Sequence, residues 1–263
     1  MNTLLQSITS EISILVYEME VSPSTSFAVM AMSMITCFIL NALIDKLPVP
    51  SKYAERSRRH KWRNVLVSTV HAVSGTIGGF ASIYLTPELL SDHLNALSST
   101  MLISMAISNG YYVYDFCDLA RNTKLAEFLP LMIHHTMGMG FVCWVLIERK
   151  LIGIIAISSC MELNGIFLHL RHILLMCSYK KSDIVFQINN VFNVVTYFVL
   201  RLGIFTYVTW WLCGHWTEVG LLLPPMAAIL LILNILLFYR LIKSDYFGRS
   251  QKSEESDIMS GDE

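Results

Sequence analysis

The strongest constraint in this chain is a series of long apolar runs, each of a length that crosses a hydrocarbon core of about 30 Å. Seven can be drawn, near residues 26–47, 62–85, 97–119, 126–147, 151–172, 187–212 and 219–243. Hydrocarbon offers no partner to a free N–H or C=O, so such runs fold as helices that satisfy their own backbones. The expected fold class is therefore an all-α integral membrane protein with about seven transmembrane helices. Composition agrees, with 54% hydrophobic and only 15% charged residues, against about a quarter charged in a soluble domain. The third and sixth runs are the most polar, because they carry charges or several amides.

Charge is segregated between the connections. Sixteen of the 19 Lys and Arg fall on one side, in the first, third and fifth connections and after the last run. The other side holds only Arg149 and Lys150, and Arg201 lies inside a run. By the positive-inside rule the N-terminus is expected to be extracellular or luminal and the C-terminus cytosolic. Residues 1–25 form an acidic lead with no basic stretch of the kind that opens a signal peptide. Residues 244–263 are charged and read as a disordered cytosolic tail. The six cysteines lie in or beside the runs without paired spacing, which suits membrane-packed thiols better than disulfides or a metal site.

Within these apolar runs sit polar groups that need a reason to be there. Residues 129–144, LPLMIHHTMGMGFVCW, carry adjacent histidines, His134 and His135. Neighbours on a helix point about 100° apart, so one partner rarely serves both. Intramembrane ionisable residues face a bundle interior or a cavity and mark function by default. The plainer alternative is that both imidazoles are packing residues satisfied by other helices.

Other runs carry matching stripes. Asn64, Ser68, His71, Gly75 and Gly78 recur at helical spacing on one face of the second run. Tyr111, Asp115 and Asp118 share a face of the third, with Asp118 placed at the interface and Asp115 one turn deeper. Glu162, Gly165, His169 and His172 form a stripe on the fifth. Asn193, Tyr197 and Arg201 form one on the sixth, and a guanidinium at that depth requires a carboxylate, a carbonyl or a wet cavity. At 1.5 Å per residue, Asp115, His71, His134 and Glu162 lie about 6, 13, 12 and 15 Å from the basic end, His169 about 4 Å and Arg201 about 21 Å. The first run has no buried charge and reads as an anchor helix outside the functional core.

The histidine pair, the Gly110, Tyr111 and Asp115 end of the preceding run, and an acid on the following run resemble the TLC-domain family. That family includes ceramide synthases and translocating-chain-associated membrane proteins. The resemblance spans 62–243, and the run ELNGIFLHLR from Glu162 to Arg171 is similar to small TLC-domain proteins implicated in phospholipid composition and membrane fluidity. It implies six helices in a TLC-type bundle plus the N-terminal anchor. Ceramide synthases follow the histidine pair with paired aspartates. Here the next aspartate is Asp183, and Glu162 with Asn164 occupies the comparable stretch.

Two functions follow as expectations. In one, the protein regulates phospholipid acyl-chain composition and membrane fluidity without ceramide synthase activity. In the other it is an acyl-CoA-dependent acyltransferase using His134 or His135 with Glu162. Both need a lipid pocket, expected from His71, Tyr111, Asp115, His134, His135, Glu162, Asn164, His169 and Arg201. The expected partners are a phospholipid or other acyl-chain lipid and the bilayer itself, with no nucleic acid, cofactor or metal. The resemblance implies the plasma membrane, with the endoplasmic reticulum as alternative. A seven-helix receptor is disfavoured because the outer loops lack paired cysteines. A di-iron desaturase is disfavoured because the histidines lack the clusters such a site needs.

Overall fold

The computed structural model describes residues 21–123 and 125–247, and every regular element in that range is helical. Helix α1, Pro23–Ile44, starts where the Ser22 hydroxyl accepts the Thr25 N–H at 3.1 Å and Pro23 takes the first turn. Prolines 48 and 50 stop the chain from continuing that helix, and after a short 3-10 turn α2 runs from Arg56 to Leu85. Helix α3, Ser99–Asn122, is capped by the Ser98 hydroxyl, and α4 covers Leu125–Glu148.

The expected fifth span is split. Ile152–Ser159 (α5) and Glu162–Met176 (α6) are separated by a tightened turn at Cys160 and Met161. The sixth is a continuous rod, Ile184–Thr196 (α7) and Gly203–Gly214 (α8), joined by a π turn at Tyr197–Leu202. A single turn, Trp216–Val219 (α9), precedes α10, Leu223–Ile242.

Among the described residues five helical rods are long and apolar enough to cross a membrane: Pro23–Ile44, Arg58–Leu85, Ile152–Met176, Ile184–Gly214 and Leu223–Phe247. The remaining two of the expected seven, α3 and α4, are 24 residues each, about 36 Å long. Ile77, Phe80, Ile133, Phe198 and Ile232 point outward, as they do when the surrounding solvent is lipid. The main apolar core joins Met101 and Met105 of α3, Val145 and Leu146 of α4, α5, and Val208 and Leu212 of α8.

Helix α1 is more than an anchor. Its Ser33 hydroxyl donates to the Ile107 carbonyl of α3 at 2.7 Å. Gly110 permits this approach, since a Cβ there would strike the Met30 carbonyl oxygen and come within 2.7 Å of Ser33 Cβ. Its last turns also reach the polar interior, where Asn41 donates to the Tyr114 hydroxyl at 2.5 Å.

The folded chain also runs past the expected boundary at 243. Lys243–Phe247 continues α10 as a π turn, and the Asp245 carboxylate is buried between Arg171 of α6 and Lys181. Arg171 Nε donates to Asp245 Oδ2 at 2.7 Å. Arg171 is itself buried beside this partner, at 6% exposure. The rest of the expected tail, 248–263, and most of the acidic lead lie outside the described residues.

Candidate functional site

The site lies on α2, α3, α4 and α6, about two to four turns inside the helix ends that carry the basic connections. The α2 stripe turns His71 onto α3, where its ring stacks on Tyr111 with centroids 3.9 Å apart and planes 11° from parallel. Tyr111 is held there by its hydroxyl, which bonds Ser68 of the same α2 stripe at 2.7 Å. One residue on, Tyr112 points to the next sector of the bundle. Its hydroxyl donates to Glu162 Oε1 at 3.2 Å, and its ring stands 5.2 Å from His71 and 5.1 Å from His135.

Two imidazole–carboxylate contacts result. His71 Nδ1 stands 3.9 Å from Glu162 Oε2, and His135 Nδ1 stands 3.1 Å from Asp115 Oδ2. Asp115 is 2% exposed, and its other oxygen accepts the Asn64 amide at 2.7 Å. Carboxylate, imidazole and supporting amide thus come from α3, α4 and α2. Glu162 owes its position to the helix break. It opens α6, where unpaired N–H groups and the helix dipole favour a negative charge. It also lies against Gly75, where an added Cβ would approach Glu162 Cγ to 3.0 Å.

This geometry revises several sequence expectations. Asp115, rather than Glu162, is the carboxylate beside the histidine pair. Asp118 is buried at 7% exposure and accepts the amides of Asn64 at 3.3 Å, Asn122 at 3.1 Å and Asn41 at 3.5 Å. Asn164 is fully buried. Its amide donates across to the Asn193 carbonyl and side chain, at 2.9 and 3.1 Å, and to Thr196, clamping α6 to α7.

Arg201 has no ion-pair partner among the described residues. It rests over the Tyr197 ring at 5.6 Å, with Nε buried and unbonded. His134 and His169 each carry a buried Nδ1 that no described group bonds. Tyr112, which the sequence reading passed over, connects the two carboxylate systems. Its position three residues before Asp115 was the available signal. Among the described residues no three His, Cys, Asp or Glu groups are placed to hold a metal ion, and all six cysteines are free.

A cavity of about 330 Å³ opens between α2 and α3. It is lined by small residues such as Ser74, Gly75, Gly78, Ser104 and Ser108, together with Ile77 and Ile107. The sequence suggested a cavity walled by the histidines themselves. This groove instead adjoins the polar cluster through Gly75, which touches both.

Apolar helices around a buried set of imidazoles, carboxylates and phenols define a multi-pass membrane protein with an intramembrane polar site. Residues 61–243 match the TLC domain, and the chain belongs to the TLC-domain family. It is 29% identical over 222 residues to the TLC domain-containing protein 2 of Danio rerio, covering 82% of this chain and 88% of that one. It is 30% identical over 219 residues to the TLC domain-containing protein 1 of Gallus gallus, covering 82% and 86%. The human TLC domain-containing protein 1 is 25% identical over 210 residues, covering 79% and 85%. The matched region leaves out α1, which nonetheless packs on α3 and reaches its aspartate face.

Proposed function

We propose that this protein binds an acyl lipid within the membrane and so regulates which acyl chains enter phospholipids, and with that membrane fluidity. The observation that carries the reading is Gly75. It lines the α2–α3 groove and also abuts Glu162 of the polar cluster. A molecule with a polar head and a long chain matches that pairing: the head meets imidazole, phenol and carboxylate, and the chain lies along small apolar residues. The proposed setting is the plasma membrane, with the N-terminus outside and the basic connections cytosolic. The test is acyl-chain lipidomics on cells lacking the protein, rescued with wild type or with His134→Ala/His135→Ala. The double variant is expected to insert normally and fail to restore the wild-type profile under saturated-fat loading. A full rescue would mean that the histidines only pack.

One observation favours acyl transfer as a second reading. A carboxylate 3.1 Å from an imidazole, itself held by an amide, is the arrangement that orients a histidine base or nucleophile. In that reading His135 acts with Asp115, and the acyl group comes from acyl-CoA. Purified protein incubated with labelled acyl-CoA should then show turnover or a covalent adduct that His135→Ala removes. Neither appearing would retire it.

A further inference from the structure

Arg201 is the least explained charge in the bundle. A guanidinium this deep is expensive unless something negative or wet faces it. Among the described residues no carboxylate stands within ion-pair distance, and the group lies over the Tyr197 ring. That ring is fixed, because the Tyr197 hydroxyl bonds the Asn234 carbonyl at 3.2 Å. The π turn therefore holds Arg201 in place while leaving its fork of donors unused.

Gly165 lies between Arg201 and Glu162. A Cβ on Gly165 would lie 3.9 Å from Arg201 Nη2 and 3.3 Å from Glu162 Oε2, so both groups look across the same bare glycine. Glu162 is already engaged on its own side by Tyr112 and His71, and Asp115 by Asn64 and His135. The unspent capacity lies with donors. His134 Nδ1 and His169 Nδ1 are buried without a partner among the described residues, and both rings are within electrostatic reach of Arg201. His71, 6% exposed, has an unbonded Nε2 at the rim of the same cluster.

We infer that Arg201, with His134 and His169, forms an anion-binding site that takes the phosphate or carboxylate group of a single membrane lipid. A planar guanidinium matches either group in bidentate fashion, and such charge-assisted bonds are strong in a dry interior. The inference rests on the lipid-binding reading above and specifies the head that the site selects. The structure gives the two sources one chemistry, an anionic pair of oxygens on a chain-bearing molecule.

The full-length protein in detergent micelles is offered four probes: oleate and oleyl alcohol, dioleoylphosphatidate and dioleoylglycerol. Each pair shares its chains and differs in the anionic group. Retention is read by mass spectrometry of the intact protein, beside the shift in its thermal unfolding. Wild type should prefer the anionic member of at least one pair by about tenfold or more, the scale of one charge-assisted contact. Preference for oleate assigns a carboxylate, and preference for phosphatidate assigns a phosphate. Arg201→Gln should erase the preference, while Arg201→Lys, a point charge without the fork, keeps part of it. Because Arg201 has no partner to strand, Arg201→Gln should unfold no earlier than wild type without lipid. Equal retention within both pairs by wild type overturns the anion site and leaves lipid binding standing. Retention of none of the four overturns the lipid reading itself. An Arg201→Gln protein that keeps the wild-type preference also overturns the inference, and the wild-type comparison decides the matter if that variant does not fold.

Discussion

His135 on α4 and Asp115 on α3 meet at 3.1 Å between Nδ1 and Oδ2, and Asn64 on α2 fixes the far oxygen at 2.7 Å. Three helices therefore share one carboxylate. Asp115→Asn should destabilise the protein through both contacts. In combination with Asn64→Leu the losses should be non-additive by about 0.5–3 kcal/mol, as for residues in one network. Thermal unfolding of the two single variants and the double variant measures this. Strict additivity would show that Asn64 does not support Asp115.

Gly75 and Gly78 lie one turn apart on α2 but touch different things. A Cβ on Gly78 would collide with the Ser104 side chain, including Cβ at 2.9 Å, whereas one on Gly75 meets only the Glu162 side chain. Gly78→Ala should destabilise by about 1–3 kcal/mol through overpacking. Gly75→Ala should be milder on stability yet reduce lipid retention, because it displaces Glu162 beside the groove. Matching losses of stability with unchanged retention would separate Gly75 from the site.

Asp245 is buried between two cations although it lies beyond the region that resembles the family. Asp245→Ala leaves Arg171 without its buried partner, a change worth about 3–5 kcal/mol. Ending the chain after residue 243 should do the same. If truncation leaves thermal unfolding unmoved, the π turn contributes nothing to the fold.

The elbow between α1 and α2 titrates. The hydrogen bond from Arg59, with Arg63 adding charge, holds the Asp45 carboxyl below its ordinary value of 3.8. A carboxyl depressed in the folded state contributes stability fully above the unfolded value and loses it as pH falls through the folded one. The elbow should therefore loosen only below about pH 3.8, measured as protease sensitivity of the connection. The pair is partly exposed, so the effect should be small and weaken with salt. Asp45→Asn should be more sensitive at neutral pH and flat below it; a wild-type-like profile for that variant would remove Asp45 from the account.

Orientation is open to direct measurement. Glycosylation acceptors placed in the 52–63 connection and after residue 247 should remain unmodified, since sixteen of nineteen basic residues lie on that side. Modification of either position would invert the topology.

Much of this molecule was legible in the chain itself. Bilayer thickness and the need to satisfy backbone groups translate directly into run length and hydropathy, so the helical membrane class could be read from the runs. Helical spacing also aimed His71 and Glu162 inward, and they do meet. What spacing along a helix does not encode is the angle between helices, and that angle decided the pairings. Depth asked only that Arg201 have a carboxylate, a carbonyl or water beside it, and the acyl-transfer expectation joined the histidine pair to Glu162. The turn at Cys160 and Met161 and the π turn at Tyr197–Leu202 each rotate the faces that follow, since one residue out of register shifts a side chain by about 100°. Packing therefore placed Asp115 beside His135, sent Asn164 into a clamp between helices and left Arg201 without an ion-pair partner among the described residues. Composition and period determined which residues sit at which height. Only the tertiary structure decided which of them face one another, because that depends on breaks and crossings where the helical period is interrupted.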